Sequence, residues 1–217
     1  MSWPLPTAFP LAPIISELGS QPQEWLDSQW KWHIETRFSV LRAGKRKAYP
    51  GSELTHGHSI DQPNLERLPR LRQLLDHAFP VRPTLAWLGR IPSGGRIFSH
   101  VDDTHHWDEH HRVHVPLITN PEARLCVDEH FLFLRPRRIW LLNNSVQHGV
   151  INRGPERVHL CLDLPHFRGF AAWLARGQVE HGERDDAALR ELNRDPMSSP
   201  FVSDAIEPAR LTRLRAQ

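Results

Sequence analysis

The chain has 217 residues, 39% hydrophobic and 24% charged, a composition that buries one sizeable core and excludes a disordered or fibrous protein. Lys and Arg outnumber Asp and Glu by only 27 to 25, so no strong field points toward nucleic acid or an acidic membrane. Met1-Ser2-Trp3-Pro4 lacks the basic stretch and apolar run of a secretory leader, and no segment approaches the roughly 20 apolar residues of a membrane span. A soluble cytoplasmic protein is therefore expected, with neither nucleic acid nor membrane as partner.

Residues 1–20 carry Pro4, Pro6, Pro10 and Pro13 among apolar residues, which favours an extended arm over a helix. Residues 24–30 read as a short helix, and 64–79 as a longer one with Leu68, Leu71, Leu74 and Leu75 at helical spacing and Pro69 tolerable in a first turn. Between them, 42–63 is a loop rich in Gly, Lys, Arg, His and Ser, with His56 and His58 able to border a pocket as a lid. From Thr84 to Leu164 the pattern changes to short runs of Val, Ile, Leu, Phe and Trp separated by Gly, Pro, Asn and Asp. Strands are predicted at 84–91, 96–102, 112–118, 123–127, 131–135, 138–143, 148–152 and 157–164, with Asp128-Glu129-His130 as a hairpin connection. Such a series of short strands predicts a small barrel or jelly roll. Helical patterning returns in 166–177, 183–194 and 205–215, and Arg210, Arg213 and Arg215 read as a solvated helix face. The expected organisation is one structural domain, mainly β with flanking α-helices: an arm and helices in 1–83, a β core in 84–165 and a helical extension in 166–217.

The chain holds 15 histidines, six of them between His100 and His114. Side chains alternate across a strand, so Arg96, Phe98, His100 and Asp102 are expected on one face, Arg112 and His114 on another, and Arg157, His159, Cys161 and Asp163 on a third. Each could be the wet side of a half-exposed strand. Solvent faces usually carry Thr, Lys, Ser and Glu, however, whereas these positions hold residues that bind metals or fork onto carboxylates. Inside a barrel they would make a polar, catalytic interior.

His100-x-Asp102 supplies an imidazole and a carboxylate, and His148, 46 residues after Asp102, supplies a second imidazole. Two His and one carboxylate on one face of an octahedral ion suit non-haem Fe(II) oxygenases. Arg157, nine residues beyond His148, could grip a dicarboxylate beside the iron with two prongs. Cys126 and Cys161 have no second Cys at ligand spacing and read as buried reduced thiols. Trp87 and Trp140 read as core, Asn143 and Asn144 as turn residues, and Asp163 as a partner that could order Arg157 or His159.

These residues resemble the aspartyl/asparaginyl β-hydroxylase family of Fe(II) and 2-oxoglutarate-dependent dioxygenases. The matching stretches are Gly94-Gly95-Arg96-Ile97, His100-Val101-Asp102, the run from His111 to Pro121, Trp140-Leu141-Leu142-Asn143-Asn144, His148-Gly149-Val150-Ile151-Asn152 and Arg157-Val158-His159-Leu160. The resemblance implies a double-stranded β-helix, the jelly roll of cupin-like proteins. It implies His100, Asp102 and His148 as iron ligands, Arg157 as partner of the distal carboxylate of 2-oxoglutarate, and Arg112 and His114 near that cosubstrate. Dioxygen would be the second cosubstrate, and the product a hydroxyl group on an unactivated carbon, with succinate and CO2 released. The expected substrate is a small amino-acid-like or peptidyl molecule hydroxylated at the β-carbon of an aspartyl, asparaginyl or related unit. Use of the same iron site on an acyl or natural-product substrate, or a non-enzymatic barrel that binds a metal or carboxylate, are the alternatives. The insert between Asp102 and Arg112, with His105, His106, Asp108, Glu109, His110 and His111, departs from the family pattern; its side chains could contact substrate, bind a metal, pack as a loop or face solvent.

Overall fold

The computed structural model describes residues 1–4, 6–44, 59–199, 202 and 208–216. His56 and His58 lie outside the described residues. In chain order the elements are β1 (Ser2–Pro4), α1 (Leu11–Ser20), β2 (Leu26–Asp27), β3 (Arg37–Ala43), β4 (Ile60–Asp61), α2 (Pro63–Glu66), α3 (Pro69–His77), β5 (Leu85–Ile91), β6 (Arg96–His100), β7 (His110–Ile118), β8 (Ala123–Val127), β9 (His130–Phe133), β10 (Arg138–Leu141), β11 (His148–Asn152), β12 (Arg157–Pro165), α4 (Phe170–Ala175), β13 (Glu183–Arg184), α5 (Asp186–Leu192) and α6 (Pro208–Arg215). Every strand predicted between 84 and 164 is present, shifted by at most a few residues at its ends.

The strands form two antiparallel sheets, one in the order β1-β10-β7-β12-β5-β3-β2 with β4 beside β3, the other in the order β13-β9-β8-β11-β6. This is a double-stranded β-helix with α1 and α3 laid against the larger sheet and α5 against the smaller. The β8–β9 connection closes with Asp128 and Glu129 at φ of 48° and 66°, the paired left-handed conformation that matches the twist of a two-residue hairpin. Among the described residues no helix is long and apolar enough to cross a membrane.

Three local expectations are corrected. Leu11–Ser20 is helical rather than an extended arm. Pro10 stands at the extended residue before the helix and Pro13 in its first turn, where backbone N–H groups have no intrahelical acceptor and their absence costs little. Glu17 in turn accepts from the backbone N–H groups of Arg70 and Leu71 at 3.0 and 3.1 Å, capping the start of α3. Residues 24–30 are not a helix, because Leu26 and Asp27 pair with Phe38 and Arg37 of β3; edge pairing overrides local propensity. The long loop of this β2–β3 hairpin carries a 3-10 turn, Lys31–His33. Lastly, β13 takes the start of the segment expected to be helical at 183–194, by pairing Glu183 and Arg184 with Phe131 and His130.

The larger sheet separates its two faces by chemistry. Leu88, Val113, Val115, Leu160, Leu162 and Leu164 point to the outer side, where they pack with Ile14 of α1 and Leu71, Leu74 and Leu75 of α3. Their neighbours along β12, Arg157, His159, Cys161 and Asp163, are equally buried but on the opposite, inner side. The polar face is therefore not a wet surface. It is the lining of the barrel, and the apolar face is covered by helices.

Candidate active site

β6 ends at His100 and β11 begins at His148, and the two are register partners. Parity alone put His100 on the same face as Phe98 and Arg96, but the register shifts between the His148↔His100 and Val150↔Ile97 pairs, so three steps of β6 span two of β11. This bulge re-aims the strand end. Phe98 packs with Ile34 and Arg96 pairs with Glu35 at 3.1 Å, whereas the His100 ring lies 4.3 Å from that of His148.

Two backbone contacts set the imidazole tautomers. His100 Nδ1–H donates to the Phe98 carbonyl at 2.8 Å and His148 Nδ1–H to the Val146 carbonyl at 3.0 Å, leaving an Nε2 lone pair on each ring. Burial, reinforced by His148, pushes the His100 imidazole down to about 4, and burial also lowers His148; both rings are neutral. Asp102 lies 3.7 Å from His100 Nε2 through Oδ1 and 3.9 Å from His148 Nε2 through Oδ2. One ligand atom from each of the three falls within 4.8 Å of the others, which is a grouping able to hold a metal ion, and no other such group occurs among the described residues. Asn144, read from sequence as a turn residue, has a further role. Its side-chain amide donates to Asp102 Oδ2 at 2.9 Å and its carbonyl accepts from the Asp102 N–H at 3.1 Å, fixing the carboxylate beyond the end of its strand.

Arg112 borders this group, with Nη1 3.9 Å from Asp102 Oδ2. Its guanidinium is sandwiched between Trp87 at 4.5 Å and Trp107 at 4.4 Å and forks onto Asp163 at 2.6 and 3.2 Å. Asp163 also accepts from His106 Nε2 at 2.9 Å. The β7–β12 register sets Asp163 opposite Arg112, so it orders Arg112 and His106 rather than Arg157 or His159. Burial raises the Asp163 carboxyl, but Arg112 and His106 outweigh it and hold the group below its ordinary range. Its stabilising contribution is therefore complete above the unfolded-state pKa of about 3.9 and disappears as pH falls through the lower native value. Asp163→Ala is expected to cost about 3–5 kcal/mol in denaturant unfolding at neutral pH, the penalty of stranding a buried guanidinium; a loss under 1 kcal/mol by about that measure would show that water reaches the pair.

Arg157 and His114, expected near the cosubstrate, sit further along the same inner wall. Arg157 is 4% exposed. One guanidinium nitrogen contacts His159 Nδ1, its Nε is buried without a hydrogen-bond partner among the described residues, and burial pushes its pKa down to about 10, with Cys161 opposing. His159 Nε2 reaches Thr119 Oγ1 at 3.5 Å, and the His114 ring stands edge-on to that of His159 at 6.0 Å. Burial, then Arg157, hold both imidazoles far below their ordinary range. The result is a desolvated cation among neutral rings. Cys161 lies 3.6 Å from His114 Nδ1, and burial pushes its thiol and that of Cys126 up to about 11, consistent with packing rather than ligation.

The 105–111 insert is mostly aromatic packing. His106 and Trp107 join the Arg112 cluster, His110 stacks on His106 at 4.1 Å and His111 on Phe170 at 3.9 Å; His105 is exposed. Burial, with His166 and His110, pushes His111 from about 6.5 down to about 4. That ring stabilises the fold fully above pH 6.5, and its contribution falls as pH drops from there toward about 4. His111→Phe is expected to keep the stack and flatten stability across that window; an unchanged pH profile of the melting temperature would assign the acid sensitivity elsewhere.

Sequence reasoning passed over His33. It arrives from the β2–β3 loop with Nε2 3.2 Å from His100 Nε2, beside Trp32, which stacks parallel to His100 at 6.4 Å. No spacing signal marks either residue, because the loop's course is set by tertiary contacts.

Comparison with known proteins bears on the fold and the family. A solved 2OG-Fe(II) oxygenase family oxidoreductase from Burkholderia pseudomallei superposes with a TM-score of 0.53 at 17% identity, covering 75% of this chain and 84% of that one, which establishes a shared fold. HygX from Streptomyces hygroscopicus, solved with nickel, 2-oxoglutarate and hygromycin B bound, is similar at a TM-score of 0.47 and 14% identity, over 75% of this chain and 81% of its own. No curated protein matches the sequence significantly. The sequence model described as Aspartyl/Asparaginyl beta-hydroxylase matches residues 27–167, well over half the chain, across the sheets, the His100–Asp102–His148 group and Arg157. The chain belongs to the aspartyl/asparaginyl β-hydroxylase family and is an Fe(II)- and 2-oxoglutarate-dependent dioxygenase.

Proposed function

We propose that His100 and His148, through Nε2, and Asp102, through one carboxylate oxygen, hold the Fe(II) ion, and that Arg157 holds the distal carboxylate of 2-oxoglutarate. The donor set fits the ion: two neutral imidazoles with lone pairs turned to one point and a carboxylate fixed by Asn144. Held by these three groups, Fe(II) would supply the oxidation in which a 2-oxo acid and dioxygen yield succinate, CO2 and a hydroxylated carbon.

The observation that carries the cosubstrate assignment is the buried Arg157 with its unpartnered Nε. A guanidinium is rarely buried without a carboxylate or phosphate, and a dicarboxylate would complete it with a charge-assisted pair. His159 contacts Arg157, and Thr119 and His114 stand beside His159 on the same wall. Arg112, held rigid by Trp87, Trp107 and Asp163, closes the wall beside Asp102 and presents positive charge toward the reacting end. This cationic, polar lining suits an acidic or amide-bearing amino-acid unit hydroxylated at its β-carbon and gives an acyl chain little to pack against.

Adding Fe(II) and then 2-oxoglutarate to the metal-free protein without oxygen is expected to produce a visible charge-transfer band. If iron binds and no band forms, the cosubstrate assignment fails. With oxygen admitted, succinate release that rises on adding aspartyl or asparaginyl compounds identifies the substrate class.

A further inference from the structure

The direction in which Arg112 points is set by fewer contacts than its place is. Trp87 and Trp107 hold the cation over their rings at 4.5 and 4.4 Å, but an aromatic face attracts a cation without fixing where its N–H groups aim. Aim comes from Asp163, which takes Nε on Oδ1 at 2.6 Å and Nη2 on Oδ2 at 3.2 Å. That fork leaves Nη1 turned from Asp163, 3.9 Å from Asp102 Oδ2. The separation is beyond hydrogen-bond reach and puts the N–H groups of Nη1 at the border of the metal-binding group.

Asp163 is fully buried and has a second partner in His106, whose Nε2 lies 2.9 Å from Oδ2. An ionised carboxylate can only accept, so the imidazole is the donor. Its bond lands on the oxygen that takes Nη2 and holds the carboxylate against turning about its Cβ–Cγ bond. His106 is itself held, stacked on His110 at 4.1 Å and edge-on to Trp107 at 4.7 Å. The 3-10 turn that carries it, His105–Asp108, is closed by the Trp107 N–H donating to the Thr104 carbonyl at 3.1 Å, and the His166 N–H beyond β12 donates to the Glu109 carbonyl at 2.8 Å. The insert that departs from the family pattern thus gives the Arg112 cluster both an aromatic face and a hydrogen bond.

We infer that His106 is a positioning residue: through Asp163 it aims the Nη1 edge of Arg112, and so sets the affinity of the site for a carboxylate at its metal end. This rests on the reading above that Arg112 presents its charge toward the reacting end. That carboxylate has two sources, the 2-oxo acid group of the cosubstrate or an acidic substrate, and the experiment separates them.

His106→Phe keeps a ring against His110 and removes the donor, His106→Leu is a second donor-free variant, and His106→Gln returns an N–H. Co(II) affinity is read by titrating the metal-free protein, 2-oxoglutarate and pyruvate affinities from the anaerobic Fe(II) charge-transfer band, and L-aspartate affinity by calorimetry at saturating Co(II) and 2-oxoglutarate. His106→Phe is expected to bind Co(II) as wild type does and one class of carboxylate about 10-fold more weakly, with His106→Gln recovering most of the loss. An equal loss for 2-oxoglutarate and pyruvate assigns the carboxylate to the cosubstrate, and a loss confined to L-aspartate assigns it to the substrate. Combined with Arg112→Gln, or with Arg112→Lys where the Gln variant does not fold by circular dichroism, His106→Phe is expected to add little, since effects routed through one residue do not sum. If the Arg112 variant weakens a carboxylate and the donor-free His106 variants weaken none, His106 is packing and the proposal is overturned. Co(II) affinity falling in parallel, with no recovery in His106→Gln, overturns it equally. If the Arg112 variant itself weakens none, the reading of Arg112 falls and the inference with it.

Discussion

Arg157→Ala is expected to weaken 2-oxoglutarate binding by about 30-fold or more while leaving metal affinity nearly unchanged, since truncating one partner of a buried, hydrogen-bonded charge pair costs about 2–5 kcal/mol and each 1.4 kcal/mol is about tenfold. The prediction rests on an asymmetry within the protein. Arg112 has its carboxylate in Asp163, whereas Arg157 contacts His159 and, among the described residues, keeps a buried Nε without a partner. Removing Arg157 therefore breaks no internal ion pair seen in the fold and should be felt chiefly by the ligand. Titrating 2-oxoglutarate against the anaerobic charge-transfer band measures the effect. A monocarboxylic 2-oxo acid such as pyruvate provides the control, because wild type should prefer the dicarboxylate strongly and the variant hardly at all. Equal 2-oxoglutarate affinity in wild type and variant would make Arg157 a structural residue. Arg157→Lys is expected to restore only part of the affinity, because an ammonium cannot fork onto two oxygens.

His148→Ala should remove iron binding more severely still, by well over 100-fold, with no detectable succinate release. Loss of a partner that merely orients a ligand typically costs about 10–100-fold in metal affinity, and the loss of a ligand sets a steeper penalty. Asn144→Ala provides the intermediate case: Asp102 keeps its charge but loses the amide donor at 2.9 Å that aims it, so a fall within that same range is expected. Competition with a chelator of known affinity ranks the three proteins. If Asn144→Ala were as damaging as His148→Ala, Asn144 would itself be a ligand; if it were silent, the strand ends alone would hold Asp102.

The jelly roll was legible because alternation survives from 84 to 164. On β12, Arg157, His159, Cys161 and Asp163 do share one face and Val158, Leu160, Leu162 and Leu164 the other. Sequence could not say which face was covered, and only the helices packed on the leucines settle that the arginines point inward. The His100–Asp102–His148 grouping was readable from spacing, yet the reason it closes was not: parity gave His100 the wrong neighbours, and the bulge opposite His148 corrects them. Prolines misled at Leu11–Ser20, where they stand in positions that have no helical hydrogen bond to lose. His33, Asn144 and the pairing of Asp163 with Arg112 were invisible for a common reason. Each depends on which strand or loop lies alongside, a choice made by contacts tens of residues away.

The opposed faces of β12 also fix how this sequence can change. Side chains alternate with a period of two, so inserting or deleting one residue within β12 would reverse every side chain on one side of the lesion, turning leucines into the polar interior and sending either Arg157 or Asp163 under α1 and α3. Such a lesion would remove cosubstrate binding and dissolve the helix-covered core in one step. Length variation within this strand is thus closed to gradual drift, because no intermediate length keeps either property. Tolerance should lie instead in connections such as the Asp128-Glu129 hairpin, whose length can vary without reversing a single buried face.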